Sequence, residues 1–293
     1  MPVPAHHIVA TPPPFDAPPY PADIFAGQTV LVTGGGSGMG LAMAKAFAQG
    51  GAQVAVMGRS LERAEEGAAQ IAALGVKTHA MSCDVRLPEA VAAAFDEAER
   101  ALGPVSLLAN NAGANFPVLA ENISPNAWNA VTRIAIDGTF LCSSEFVRRR
   151  IALGQGGAIV NNSAQYIWTG FPGDAHSAAA KTAQATMTRN LAADWAPHGI
   201  RVNAVAAGFF PHEGSVSGRA DEGIEPLQAM IPAGRTGSIW EFGWLSAMTC
   251  TPLFGTMTGQ VIVQDGGESL RRSLIMPDFS PARERADGPW GWR

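Results

Sequence analysis

From Gln28 onward, short apolar runs rich in Val and Ile alternate with longer Ala-rich stretches whose apolar positions recur at helical spacing. The runs Thr29 to Thr33, Gln53 to Met57, Lys77 to Cys83, Ser106 to Ala109, Ala158 to Asn161, Ile200 to Val205 and Gly259 to Val263 predict strands. They lack an alternating polar face, which suits a parallel sheet covered on both sides. Leu61 to Leu74 and Ala90 to Leu102 predict helices between them. A third starts at Ser124, an N-cap followed by Pro125 at the first helical position. The repeated strand–helix alternation predicts an α/β fold, a doubly wound parallel sheet of Rossmann type, in a single domain over residues 25–268. Residues 1–24 carry eight of the 21 prolines, so they read as an extended arm. Residues 269–293 form a tail containing Trp290 and Trp292.

Composition narrows the class. Of 293 residues, 47% are hydrophobic and 15% charged, enough apolar material for a sizeable core and too little charge for disorder. A net charge of -5 argues against general nucleic-acid binding. Arg148, Arg149 and Arg150 read as a solvated helix face or end. Cys83, Cys142 and Cys250 are far apart and form no CxxC pair, so neither a zinc site nor a disulfide framework is expected. There is no secretory leader pattern and no run of eighteen or more apolar residues. The expectation is a cytoplasmic protein with no metal, no nucleic-acid partner and no membrane association.

The segment VLVTGGGSGMGLAMAKAF reads strand, glycine turn, helix, the context in which such a motif holds a dinucleotide. Thr33, Gly34, Ser37, Gly38, Met39 and Gly40 are the candidate contacts. Gly34 and Gly38 would let the backbone turn tightly toward a pyrophosphate, and Gly40 would let helix and strand pack closely. The helix start supplies amides and a favourable dipole. After the second predicted strand an NAD site usually places a carboxylate against the ribose hydroxyl. Here stand Gly58, Arg59 and Ser60, and a guanidinium there suits a 2′-phosphate, which favours NADP(H). The alternative for Arg59 is an exposed loop residue that never meets cofactor.

With Thr33 to Gly40, Asp84 and Val85, Asn110-Asn111-Ala112-Gly113, and Asp265-Gly266-Gly267, the chain resembles the short-chain dehydrogenase/reductase family over residues 28–268. The resemblance implies that Asp84 and Val85 lie at the adenine. It implies that Asn110, Asn111, Ala112 and Gly113 lie near the ribose and nicotinamide, and that Gly208 shapes the nicotinamide end. The family's ordinary active site has a tyrosine four residues before a lysine. Here Lys181 is preceded at that distance by Ser177, and Ala164 and Ala135 stand where the family has its serine and asparagine.

Of the two tyrosines, Tyr20 lies in the proline-rich arm, which leaves Tyr166, just after the fifth strand, as the candidate phenol. That is the carboxyl edge of the sheet, where ligands bind. A nearby Lys181 ammonium would stabilise the ionised phenol and strengthen its hydrogen-bond donation. The alternative is a packing tyrosine with an internally satisfied hydroxyl. This layout is similar to the mitochondrial 2,4-dienoyl-CoA reductases of the same family, which also place serine four, and tyrosine fifteen, residues before the lysine. Asn110 to Phe116 and Ser124 to Trp128 are similar to theirs too, which puts Asn115 on their substrate-binding asparagine.

The resemblance implies that Tyr166 and Asn115 donate to a thioester carbonyl oxygen while Lys181 holds the nicotinamide ribose, with Ser177 completing the catalytic set. The expected activity is an NADPH-dependent reductase of a conjugated carbonyl compound, with a dienoyl or enoyl thioester such as an acyl-CoA as small-molecule substrate. Two alternatives stay open: a ketone, alcohol or imine oxidoreductase with a repositioned proton donor, and a non-catalytic NADP-binding sensor or scaffold. Residues 209–230 are compatible with a substrate lid. Trp168 and Phe171 are candidate pocket walls, and His176 and His212 candidate neighbours. The family implies a homo-oligomer, commonly a tetramer, joined through helices spanning Ser124 to Arg150 and Ser177 to Trp195.

Overall fold

The computed structural model describes residues 9–213, Gln228 and residues 231–270. Seven strands form one parallel sheet in the order β3-β2-β1-β4-β5-β6-β7. They are β1 (Thr29–Thr33), β2 (Gln53–Gly58), β3 (Thr78–Ser82), β4 (Val105–Asn110), β5 (Gly157–Ala164), β6 (Ile200–Ala207) and β7 (Val261–Gln264). The strand order reverses between β1 and β4, the switch point where an open α/β sheet leaves a crevice beyond the strand ends.

Seven α-helices cover the two faces among the described residues: α1 (Gly38–Gln49), α2 (Leu61–Ala72), α3 (Pro88–Leu102), α4 (Pro125–Thr132), α5 (Gly138–Ala152), α6 (Ala175–Trp195) and α7 (Ile239–Cys250). The sheet divides the core into two clusters. Val30, Val32, Phe47, Val54 and Phe242 pack on the α1 and α7 side, and Leu31, Met57, Phe95, Leu108 and Phe146 on the α3 and α5 side. Alternate residues of one strand thus serve opposite faces, as a doubly covered sheet demands. Ser124 caps α4 as expected, its Oγ accepting from the Ala127 amide at 3.1 Å. Between α4 and α5 the chain makes a π-turn over Arg133–Asp137, a local widening of the helix frequent at functional sites.

The strands differ from expectation chiefly at β5, which runs on to Ala164 because Asn162, Ser163 and Ala164 pair with Val205, Ala206 and Ala207 of β6. The arm also does more than extend. The Tyr20 hydroxyl donates to the Ala46 carbonyl at 2.8 Å, Phe25 is fully buried, and the Gln49 amide and Trp240 indole donate to the carbonyls of Phe15 and Pro13. These contacts bind residues 13–25 across α1 and α7. The three arginines of α5 diverge too. Arg148 is exposed beside Glu145, Arg149 bridges to Asp96 and Glu99 of α3, and Arg150 is buried with its Nε on the Gly156 carbonyl. The solvated-face reading therefore holds for Arg148 alone. The three cysteines are free and buried, and no described helix is long and apolar enough to cross a membrane.

Candidate active site

At the carboxyl ends of β1, β2, β4, β5 and β6 lies a cleft of about 1240 Å³. That exceeds the roughly 300–1,000 Å³ of an ordinary ligand pocket and has room for a dinucleotide with a substrate beside it. Its floor at one end is the turn from β1 into α1. Gly34 and Gly38 adopt φ of 63° and 52°, a left-handed backbone that side chains disfavour. A Cβ on Gly40 would lie 2.1 Å from the Gly34 carbonyl oxygen, so α1 can start against the strand only with glycine there. Ser37 and Met39 line the cleft, whereas Thr33 and Gly40 lie behind it. Thr33 braces the turn, its Oγ1 accepting from the amides of Asn111 and Ala112 at 2.9 and 2.8 Å.

Gly58, Arg59 and Ser60 line the adjoining wall with Arg63. Ser60 caps α2 by accepting from the Arg63 amide. Asp84 and Val85 face them, and Arg86 forks onto the Asp84 carboxylate at 2.5–3.1 Å, holding its pKa down at about 2. Asp84 is therefore a fixed anion. Asn111, Ala112 and Gly113 continue the wall, and Gly208 closes it after β6. Asn110 does not. It is buried, and its amide donates to Ser143 and Asn161, so it ties β4 to α5 and β5 behind the cleft.

The other end gathers Asn115, Tyr166, Ser177 and Lys181. Tyr166 sits just past β5 in a short 3-10 turn, and Ser177 on the first turn of α6, their oxygens 2.8 Å apart. Lys181 follows one turn later, and its ammonium donates to the Asn162 carbonyl. Asn162 in turn donates to the Asn111 Oδ1 at 2.8 Å. Asn162 was not singled out from sequence. Its polarity and its place at the end of an apolar strand were the signals that could have found it.

Burial pushes the Tyr166 phenol up to about 12, with the Ser177 hydrogen bond opposing and the Asp174 charge adding. Tyr166 is thus a neutral donor, not an incipient phenolate. Burial also draws Lys181 down to about 8. Asp174, three residues before Ser177, is buried, and that burial raises its carboxyl to about 6.

Ala164 and Ala135 also line the cleft, Ala135 within the π-turn, so the positions of the family's serine and asparagine carry only methyl groups. Phe171 packs on Tyr166 with ring centroids 5.8 Å apart, while Trp168 is more than half exposed. Trp168 and Phe171 are absent from the cleft lining. His176 is buried with its ring edge-on to Phe116, and its Nδ1 accepts from the Ser177 amide. His212 lines the cleft close to Gly38. Beyond Glu213 the expected lid, Gln228 apart, lies outside the described residues, as does the tail after Leu270.

These residues fit a nicotinamide dinucleotide. The glycine turn suits a pyrophosphate, the wall at Arg59 the adjoining ribose, and Lys181 with Tyr166 the reacting end. Among the described residues no cluster of His, Cys, Asp and Glu could hold a metal ion.

Residues 34–269 match a family model described as enoyl-(acyl carrier protein) reductase. A Bacillus subtilis (strain 168) protein named as a probable 2,4-dienoyl-CoA reductase producing a (2E)-enoyl-CoA is 39% identical over 250 residues, covering 83% of this chain and 97% of its own. The peroxisomal 2,4-dienoyl-CoA reductase of Danio rerio, named as producing a (3E)-enoyl-CoA, is 34% identical over 253 residues, 85% of this chain and 83% of its own. Among solved structures, a short chain dehydrogenase from Bacillus anthracis superposes with a TM-score of 0.76 at 35% identity, covering 84% of this chain and 98% of that one.

Proposed function

The chain belongs to the short-chain dehydrogenase/reductase family, and we propose that it is an NADPH-dependent reductase of a conjugated thioester, a 2,4-dienoyl- or enoyl-CoA. The observation that carries this reading is the pairing of Tyr166 with Ser177 one turn before Lys181, in one cleft with Asn115. A simple ketone reductase of the family needs a phenol where Ser177 stands. Here the phenol comes from beyond β5 and reaches the same end of the cleft.

A nicotinamide held in this cleft would supply hydride to the distal end of the diene. The electron pair then moves through the conjugated system to the thioester oxygen, where Tyr166 and Asn115 donate. A phenol held neutral donates without first losing its own proton, and Ser177 fixes its direction. Lys181, anchored by Asn162, presents its remaining N–H groups to the ribose. Arg59 and Arg63 receive the 2′-phosphate. A proton from water at the dienolate carbon completes an enoyl thioester, so one hydride and one proton are consumed per turnover.

The reading extends to assembly as a homotetramer. Trp128 of α4 and Phe140 of α5 are exposed on the helices the family uses for contact, and a second copy would cover them. Size-exclusion chromatography with light scattering reads the assembly. Following NADPH absorbance in the presence of 2,4-hexadienoyl-CoA tests the activity.

A further inference from the structure

The strands of the sheet do not end together. Pairing of β1 with β4 stops at Val32 and Ala109, and pairing of β4 with β5 stops at Asn110 and Asn161, while β5 stays paired to β6 as far as Ala164. Asn162 therefore lies past the last rung on one edge of β5 and within the ladder on the other. It is buried, so the polar groups on the unpaired edge still need partners.

Side chains supply the missing rungs. The Asn111 amide nitrogen donates to the carbonyls of Thr33 and Gly34, both at 3.2 Å. Those carbonyls can only accept, so the nitrogen of Asn111 faces the end of β1 and its oxygen is left for β5. That oxygen accepts from the Asn162 amide nitrogen at 2.8 Å. The order of donors and acceptors thus fixes both amides. The main-chain carbonyl of Asn162 accepts from the Lys181 ammonium, and Ser163 Oγ donates to the Lys181 carbonyl at 3.3 Å. A continuous bridge runs from the glycine turn, across the mouth of the crevice, to α6.

A lysine carries its charge on a flexible four-carbon stem, so what the ammonium is bound to decides where its other N–H groups point. We propose that Asn162 is a positioning residue, whose side chain holds its own peptide on Asn111 so that its carbonyl aims Lys181 at the nicotinamide ribose. The proposal rests on the nucleotide of the reading above and is independent of the thioester. Without the side-chain amide the peptide is held from β6 alone, and the ammonium loses its fixed acceptor. Asn162 also lines the cleft, so direct contact with the ribose is the rival role that the experiment must separate.

The test uses the full chain and reads nucleotide binding by calorimetric titration, with no turnover required. The ligands are NADPH and 2′,5′-ADP, which carries the adenosine end and lacks the nicotinamide ribose. Asn162→Ala and the similarly sized Asn162→Leu each weaken NADPH about tenfold, the scale of one hydrogen bond, and leave 2′,5′-ADP unchanged. Unchanged 2′,5′-ADP binding also shows that the variants fold with the glycine turn intact. In a Lys181→Met background the same substitutions cost nothing more, because the two residues act as one unit.

NADPH affinity equal to the wild type overturns the proposal, and so does equal weakening of both ligands by folded variants, which would mean general damage to the turn. A second loss of the same size in the Lys181→Met background means that Asn162 meets the ribose itself, and overturns it too. If the wild type binds NADH in place of NADPH, the NADPH reading falls, and the same cycle with NADH and 5′-AMP decides the role of Asn162.

Discussion

The phenolic oxygen of Tyr166 lies 2.8 Å from the hydroxyl oxygen of Ser177, joining the turn after β5 to the first turn of α6. This pair occupies the place that a single tyrosine on α6 would fill in an ordinary member of the family. Replacing Tyr166 with Phe removes the donor and keeps the ring packed on Phe171. The expected result is at least about hundredfold slower turnover, the lower range for a lost acid-base group. NADPH affinity by fluorescence titration stays unchanged. Turnover equal to the wild type would return Tyr166 to a packing role.

Lys181 supplies a pH dependence of defined sign. Burial holds its ammonium at about 8, below the roughly 10.4 of a free lysine. Its charge is lost as pH rises through about 8, so NADPH binding weakens there. Between those two values the unfolded chain holds a proton that the folded chain has released, so folding stability attributable to Lys181 rises with pH across that window. Denaturant titrations of the wild type and Lys181→Met from pH 7 to 10 measure it. A difference that is flat with pH contradicts it.

In the proposed function, a preference for NADPH rests on Arg59. Arg59→Ala raises the KM for NADPH roughly tenfold to hundredfold, the scale of a charged hydrogen bond, and leaves that for NADH nearly unchanged. Steady-state kinetics with both nucleotides decide. An equal effect on the two would show that Arg59 does not read the 2′-phosphate.

Gly40 has no room for a side chain. Gly40→Ala would place a methyl group 2.1 Å from the Gly34 carbonyl oxygen and 2.4 Å from Asn111 Nδ2. The helix start must move, at a cost of about 1–3 kcal/mol in stability. The expected results are a lowered midpoint in thermal denaturation and weakened binding in nucleotide titration, since in the proposed function the same turn holds the pyrophosphate. An unchanged midpoint with unchanged binding contradicts the packing argument.

The sheet was legible because its five inner strands bury both faces and so read as continuous apolar runs between helical stretches. The end of β5 was not. Asn162 and Ser163 look like loop residues, yet both are buried and pair with β6, while Asn161, the last residue of the predicted run, is satisfied by Asn110 and Thr188. Only tertiary partners decide such a case. The same network removed Asn110 from the cofactor wall, while its neighbour Asn111 stayed on it. Tyr166, Ser177 and Lys181 were legible from their separations along the chain, and the structure brings all three into one cleft. Asp174 was invisible for a different reason. An aspartate before an Ala-rich helix reads as a cap, yet in the fold its side chain makes no cap hydrogen bond.

The central claim is that this cleft reduces a conjugated thioester with NADPH, and the consumption of NADPH on adding 2,4-hexadienoyl-CoA tests it most directly. The account predicts loss of nucleotide absorbance matched one for one by enoyl-CoA formed, with little turnover of simple ketones under the same conditions. Turnover of simple ketones with hexadienoyl-CoA left untouched would contradict it.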